Sequence, residues 1–211
     1  MLYYSLFGDK VSKVGVNTIY EALRHLESYP DFVSEILELT EYILSNLAKK
    51  TFAVGEGMPA TLEQYGCYTR EEVFAIFGRQ TADKKMQGSV AGIFNIEELN
   101  TELLFVTLNK SYKDFSAETM YNDYVVSKFE FHWESQNIDS HAGKGERFVK
   151  QKENGKKFLL FVRENKKDGF GNTCPFICFG LVDYISSKGD KPMKINWQMH
   201  QPILPKFLNA V

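Results

Sequence analysis

Residues 121 to 137, with the sequence YNDYVVSKFEFHWESQN, combine aromatic rings with hydrogen-bonding groups in a short span. Tyr121, Asp123 and Tyr124 lie within four residues, and Trp133 and Gln136 follow. Aromatic faces can stack on a planar heterocycle, and a carboxylate can accept a hydrogen bond from the exocyclic amino group of cytosine. The pattern therefore predicts a pocket for a nucleobase that has been drawn out of a duplex. These five residues are its candidate lining.

A structural interpretation of the same stretch stays open. Phe129, Phe131 and Trp133 alternate like the buried face of a strand, so they could belong to the core. Asp123 could be a buried carboxylate that backbone N–H groups satisfy. We leave Ser135 and Asn137 out of the candidate pocket because strand alternation would place them on the face opposite Gln136.

Basic residues are concentrated in the C-terminal third of the chain. Residues 1 to 140 contain 12 Lys and Arg against 21 Asp and Glu, a net charge of −9, whereas residues 141 to 211 contain 13 against 6, a net charge of +7. A basic region of this kind is typical of a phosphate-contacting surface, although a solvated, charged hairpin over residues 143 to 167 would give the same pattern. The candidate phosphate contacts are Lys144, Arg147, Lys150, Lys156, Lys157 and Arg163.

Catalytic motifs are scarce. The sequence has no P-loop, no HExxH and no GxSxG, and its cysteines and histidines suggest neither a zinc site nor a nucleophile with a recognisable base. One pattern keeps a catalytic alternative open: Asp123, Glu164 and Lys166 resemble the two acids and the lysine of a magnesium-dependent PD-(D/E)xK nuclease. We otherwise expect no catalytic residue, no metal and no cofactor. Three cysteines without CxxC spacing, and no apolar run long enough to cross a membrane, favour reduced thiols in a cytoplasmic protein.

The elements that would position these residues divide the chain into two parts. Residues 1 to 60 read as a helical arm, in which Pro30 ends one amphipathic helix and Asp31 is placed to cap the next. From residue 61 the pattern predicts a separate domain. It begins with a short helix whose capping box pairs Thr69 with Glu72.

Five apolar runs rich in β-branched and aromatic residues follow, and we interpret each as a strand. The runs cover residues 103–108, 123–133, 157–164, 176–186 and 193–200. Asn154-Gly155 is a preferred dipeptide of a two-residue hairpin turn. With few helices between them, the strands favour an α+β fold in which the helical arm precedes a mostly antiparallel, bent β-barrel over residues 61 to 211.

Several of these segments, in this order, resemble a bacterial domain family of unknown function. The resemblance covers Thr61 to Pro205, and its most specific part is YxDYxxS followed by FHWxSQ, with LFVTLNK in support. Domains of this family lie at the C-terminus of many DEAD/DEAH-box helicase-like proteins that also carry a phospholipase-D-type nuclease. The resemblance implies an SRA/PUA-like fold and a non-catalytic role in modification-dependent (type IV) restriction, a defence against foreign DNA.

In that context the domain would recognise 5-methylcytosine in double-stranded DNA by base flipping. Its partners would be the helicase-like ATPase and the nuclease, in cis or in trans, and the apolar stripe of the helical arm would allow a homodimer. The preferred modification stays open at this point. So does a third interpretation, in which the aromatic surface docks a helicase without binding DNA.

Overall fold

The computed structural model describes residues 2–16, 18–47, 53–86, 92–110, 122–137 and 139–208. The chain forms two compact units. Unit 1 contains residues 1–53, 59–63 and 68–89, and unit 2 contains residues 54–58, 64–67 and 90–211. The domain boundary expected at residue 60 stays a prediction.

Unit 1 is helical. Its helices are α1 (Leu2–Phe7), α2 (Val11–Val14), α3 (Ile19–Glu27), α4 (Pro30–Leu47) and α5 (Arg70–Ile76). α1 contacts α5, and α3 contacts α4. A small apolar cluster around Tyr4, Val16 and Ala22 forms its buried centre, and the Tyr4 hydroxyl donates to the Thr81 carbonyl oxygen at 3.0 Å.

The helix starts follow local capping chemistry. The predicted capping box of α5 is confirmed, since Thr69 accepts from the Glu72 N–H and Glu72 accepts from the Thr69 N–H. The prediction that Asp31 caps α4 is wrong, because the helix already begins at Pro30. Proline suits the first helical position, where its missing N–H costs no hydrogen bond.

Unit 2 is built on a sheet whose longer strands follow the order β2-β3-β6-β7-β8-β5-β4. All neighbours in this path are antiparallel except β3 and β6, which are parallel. The strands are β1 (Cys67–Tyr68), β2 (Ile93–Ile96), β3 (Thr101–Asn109), β4 (Tyr124–Ser127), β5 (Glu130–Glu134), β6 (Lys157–Asn165), β7 (Phe176–Lys188) and β8 (Lys194–Met199). The two-residue β1 starts beside β7, where the Cys178 N–H donates to the Gly66 carbonyl oxygen.

The α+β class and the mostly antiparallel sheet are confirmed. Within the described part of the chain the sheet does not close into a barrel, because its path ends at β2 on one side and at β4 on the other. Its core contains the inward-facing side chains of β3 to β8, with Trp197, Phe131 and Phe158 fully buried. The strand predicted over residues 193–200 matches β8, in which the alternate residues Ile195, Trp197 and Met199 are buried.

The single strand expected over residues 123 to 133 is wrong. This stretch is a hairpin of β4 and β5, and Lys128 and Phe129 form its turn. Phe129 is consequently 42% exposed and does not belong to the core. The turn changes which residues are neighbours: Tyr124 lies directly opposite His132, and Val125 lies opposite Phe131.

The hairpin expected at Asn154-Gly155 is also wrong. These residues end a turn between the short helix α6 (Glu146–Val149) and β6, so they join a helix to a strand. Gly155 does adopt the left-handed conformation, at φ +57°, that this dipeptide favours. The turn at Asn154-Gly155 was therefore predicted correctly, but the element before it is the helix α6 and not a strand. A last helix, α7 (Pro205–Leu208), follows β8 and buries Phe207.

None of the helices in the described part of the chain combines the length and the apolarity that crossing a membrane requires.

We expect Gly180→Ala to destabilise unit 2 by about 1–3 kcal/mol. Gly180 lies at a bulge between β6 and β7 with φ +88°, and a Cβ there would lie 2.2 Å from Gln64 Oε1. Gln64 is held in place because its side-chain amide donates to the Phe179 carbonyl oxygen. Urea unfolding measures the loss. Gly169→Ala is the matched control, since no atom lies within 4 Å of its added Cβ; equal stability of the two variants would contradict this account.

Candidate nucleic-acid interface

Asp123 is a buried carboxylate just before β4. Its Oδ2 lies 2.5 Å from Nζ of Lys110, the residue that follows β3, and both side chains are less than a tenth exposed. Its Oδ1 accepts the backbone N–H of Glu134 at 2.9 Å. A buried ion pair is tolerated only when further hydrogen bonds offset the desolvation of the two charges, and this backbone donor is one of them. The arrangement holds a carboxylate and an ammonium side by side at the ends of two strands.

The pKa of Asp123 is raised above the ordinary value of 3.8. Burial is the largest cause, because removal from water disfavours the charged carboxylate. The charge and the hydrogen bond of Lys110 and the Glu134 N–H oppose this shift, and the Glu134 charge adds to it. The pKa of Asp123 is therefore set by opposing influences that a bound ligand would change.

Tyr124 points away from the core, since the next residue of β4, Val125, is buried and successive strand residues point to opposite faces, whereas Asp123 is buried. Its ring stacks on His132, with ring centroids 4.6 Å apart and an angle of 22° between the planes. His132 Nδ1 lies 2.7 Å from Asn196 Oδ1, and Asn196 Nδ2 donates to Glu130 at 2.8 Å. Asp123 and Tyr124 therefore do not converge on one pocket.

The other candidate pocket residues have separate positions. Trp133 is 5% exposed and packs edge-on against Phe148 in the core, which is the structural interpretation of this residue. The backbone N–H of Gln136 donates to Asp139 at 3.1 Å, and its side chain is partly exposed. Tyr121 lies outside the described residues. Lys110 and His132 were missed: nothing in the pattern marks Lys110, because its contact with Asp123 spans 13 residues.

Two of the six candidate phosphate contacts belong to a buried ionic network. Arg147 Nε donates to Glu102 at 2.9 Å, and its NH1 donates to Asp139 at 2.9 Å. Lys156 Nζ lies 3.2 Å from the same Glu102 carboxylate. Both acids are less than a tenth exposed, so removing a basic partner would leave a buried charge uncompensated. Arg147 and Lys156 therefore serve the interior of unit 2.

The remaining four basic candidates differ in their availability. Lys157 Nζ donates to the Glu56 carbonyl oxygen, and Arg163 donates to Thr107 and to the Cys174 carbonyl oxygen while its guanidinium lies over the Phe176 ring. Lys144 and Lys150 are exposed. Lys150 pairs with Glu146 across one helical turn, a contact that water screens. Hence Lys144 and Lys150 are the candidates that this structure presents to solvent.

The nuclease alternative gains no metal site. Within the described ranges, no group of three or more His, Cys, Asp and Glu side chains is placed to hold a metal ion. The carboxylate of Asp123 is already engaged by Lys110. The strand register does bring the ends of β3 and β6 together, since Asn109 donates to Asn165 at 3.2 Å, but this contact joins two amides.

Ser187, His141 and Asp190 form a hydrogen-bonded chain that no sequence motif indicated. His141 Nε2 lies 2.6 Å from Ser187 Oγ, and its Nδ1 lies 2.9 Å from Asp190 Oδ1. The chain is largely exposed to water, and the Tyr184 hydroxyl lies 2.7 Å from the same Ser187 Oγ. The His141 backbone N–H also donates to Asp190, and this bond, followed by the one from the imidazole, lowers the pKa of Asp190. We infer that these hydrogen bonds hold residues 139 to 145 against the end of β7.

The three cysteines are free thiols. Cys178 lies in the core, and burial raises the pKa of its thiol to about 12, so it is unreactive in the folded protein.

In a comparison with known protein families, residues 62–210 match the family described as Domain of unknown function (DUF3427). This agrees with the resemblance predicted for residues 61 to 205. No curated protein matches the chain. Among solved structures, the chain is similar to Arabidopsis thaliana SUVH6 in complex with SAM, at 13% identity and a TM-score of 0.42. The match covers 77% of this chain and 32% of that one, so this chain spans about a third of its length.

We expect Asp123→Asn to change how stability depends on pH. The native pKa of Asp123 is raised, so between 3.8 and that native value the folded state binds more protons than the unfolded state. The contribution of Asp123 to stability is therefore present below pH 3.8 and is lost as the pH rises through the native pKa. The free energy of unfolding of the natural protein, relative to that of Asp123→Asn, should fall by up to about 1.4 kcal/mol per pH unit in this window. Urea unfolding between pH 3.5 and 7 measures it, and a relative stability that increases with pH would be the opposite result.

We expect Ser187 to be inert as a nucleophile. A fluorophosphonate probe that labels activated serines should leave the native protein unmodified, because the Ser187–His141–Asp190 chain is assigned a structural role. Intact-mass spectrometry reads the result directly, with Ser187→Ala as the matched control. A single adduct that Ser187→Ala or His141→Ala abolishes would show that the chain activates Ser187.

Proposed function

Since the chain belongs to the family described as Domain of unknown function (DUF3427), we propose that its β-rich unit binds double-stranded DNA and recognises a modified cytosine, 5-methylcytosine, that is flipped out of the duplex. Asp123 and Lys110 are the residues that contact the base. The unit acts as a non-catalytic recognition domain. The sequence resemblance described above supports the DNA-recognition role, and the contacts around Asp123 support the choice of base.

The observation that carries this proposal is the side-by-side placement of a buried carboxylate and a buried ammonium, with Asp123 Oδ2 2.5 Å from Lys110 Nζ. The Watson–Crick edge of cytosine presents an amino donor next to two acceptors, N3 and O2. A carboxylate accepts from the amino group, and an ammonium donates to the acceptors. Thymine presents an acceptor where cytosine has its amino donor, so the same pair would disfavour it.

The Asp123 carboxylate has acceptor capacity for a ligand. Each ionised carboxylate oxygen offers about two acceptor sites, and in the described structure Oδ1 accepts the Glu134 N–H and Oδ2 accepts Lys110 Nζ. The Glu134 N–H fixes the orientation of the carboxylate, which reduces the entropy lost when a base binds. An amino group that replaced water or protein contacts here would also favour the ionised form of Asp123.

Contacts to the DNA backbone would come from the exposed basic side chains. Lys144 and Lys150 suit this role, because the only ion pair of Lys150 in the described structure is the exposed one with Glu146. Phosphate contacts position a duplex without specifying its sequence and weaken as the salt concentration rises. Gln136, Tyr121 and Trp133 remain candidates for the pocket by resemblance, and a role for Trp133 would require movement within the core.

The wider setting follows from the same resemblance. We place the domain in a modification-dependent restriction system, where it would deliver a helicase-like ATPase and a phospholipase-D-type nuclease to foreign DNA. A docking function is supported for unit 1, where large apolar side chains of α3 and α4 are exposed. They include Tyr20 at 76%, Leu37 at 58% and Tyr42 at 67% exposure. These side chains would contact a partner module or a second copy of the chain.

We expect tighter binding to a duplex with one 5-methylcytosine than to the same duplex with cytosine. Fluorescence anisotropy at one moderate salt concentration compares these two with a 5-hydroxymethylcytosine duplex. Asp123→Asn keeps the shape of the side chain but places an amide NH₂ or a weaker acceptor against the base. It should weaken binding to the modified duplex by roughly 5- to 150-fold, the effect of about 1–3 kcal/mol for a lost base contact.

Asp183→Asn is the matched control, because it removes a carboxylate that is 40% exposed on the same sheet. It should bind like the natural protein, and thermal melting checks that each variant is folded. Equal affinity for all three duplexes would leave a basic surface without a base pocket. Absence of binding to any duplex would support the docking function alone.

A further inference from the structure

The outer face of the β4–β5 hairpin carries a row of polar aromatic and amide side chains that the proposed pocket does not use. Strand register aligns Tyr124 with His132 and His132 with Asn196, across β4, β5 and β8. The opposite face of the same strands holds Phe131 and Trp133 in the core. Two aromatic rings and an amide have therefore been placed on the solvent side, where the core gains nothing from them.

The hydrogen bonds of this row hold the His132 ring in a fixed plane. Asn196 Nδ2 donates to Glu130 Oε1 at 2.8 Å, which leaves Asn196 Oδ1 as the acceptor for His132 Nδ1 at 2.7 Å. His132 Nδ1 is consequently the donor to Asn196 Oδ1, which fixes the ring through this bond. The His132 ring stacks on the Tyr124 ring, with the two centroids 4.6 Å apart. The Tyr124 ring is oriented before any ligand arrives.

The Tyr124 ring is partly accessible to a ligand in the described structure. His132 stacks on it from β5, and β4 is the last strand of the sheet path. Tyr124 is 36% exposed. A flat aromatic face at a sheet edge, with amide and carboxylate groups beside it, suits a neutral planar ring with polar edges.

The charges of this face favour a base over a phosphate as the contact. The Glu130 carboxylate accepts from Asn196 of the row. At the other end of β5, the Glu134 carboxylate lies 3.7 Å from Lys194 Nζ. A phosphate would be repelled by Glu130, whereas the amino group of a base would be attracted. Stacking on aromatic side chains is also the sequence-tolerant way in which proteins hold unpaired bases.

We propose that the Tyr124–His132–Asn196 row is a stacking platform for an unpaired DNA base other than the cytosine recognised at Asp123. Asp123 is buried just before β4 whereas Tyr124 is exposed on the strand, so we assign a different base to each. This inference rests on the proposed DNA binding. It adds a second contact that does not depend on modification, suited to a nucleotide displaced from the stack near the flipped cytosine.

Anisotropy with a single-stranded DNA 12-mer and with the cytosine and 5-methylcytosine duplexes tests the platform. Tyr124→Ala and Tyr124→Leu should weaken binding to the single strand by about 5-fold or more. They should weaken binding to both duplexes by a similar factor and keep the preference between them. Tyr124→Phe retains the ring and should bind within twofold of the natural protein. Phe170→Ala removes an exposed aromatic side chain to which no binding role is assigned and should have no effect.

The outcomes separate the two proposals. If Tyr124→Leu is folded by thermal melting and binds the single strand as tightly as the natural protein, the platform is refuted, whatever the duplexes show. If the natural protein does not distinguish the two duplexes but Tyr124→Leu loses affinity, modified-cytosine recognition fails and the platform stands. If the natural protein binds none of the three DNAs, both proposals fail.

Discussion

The architecture of unit 2 depends on ionic contacts at the two ends of one buried strand, β3. Near its start, Glu102 is bound by Arg147 and Lys156. Just after its end, Lys110 is bound by Asp123. The strand between is buried from Thr101 to Thr107 and pairs in parallel with β6. Buried charges are costly unless each has its partner, so these contacts fix α6 at one end of β3 and the start of β4 at the other.

The same constraint separates two kinds of chemistry across the β4–β5 hairpin. On the inner side, Asp123 meets a charge partner and a backbone donor, which hold its carboxylate in place. On the outer side, Tyr124 and His132 form a stack suited to the face of a base. Under our two proposals, the inner side would hold the flipped cytosine and the outer side a second, unpaired base.

Sequence patterns predicted much of the fold because alternation and capping are local. The runs of β6, β7 and β8 and the Thr69–Glu72 capping box were correct. The turn at Lys128 and Phe129 was missed because one residue is charged and the other apolar. Without Gly, Asn or Pro, this pair gives no turn signal. Long-range ionic partners had no sequence signal either: Arg147 is as basic as Lys144, and only the fold shows that it binds Glu102. Consequently, the pairing of Asp123 with Lys110 and the stacking of Tyr124 on His132 could not be predicted from the sequence.

The structure of the protein bound to a duplex with a single 5-methylcytosine would test the central claim most directly. Our account predicts that the modified base lies outside the duplex, with its exocyclic N4 about 2.7–3.2 Å from a carboxylate oxygen of Asp123 and its N3 or O2 facing Lys110. A complex in which the base remains stacked in the duplex, while Asp123 contacts only Lys110 and the Glu134 N–H, would contradict it.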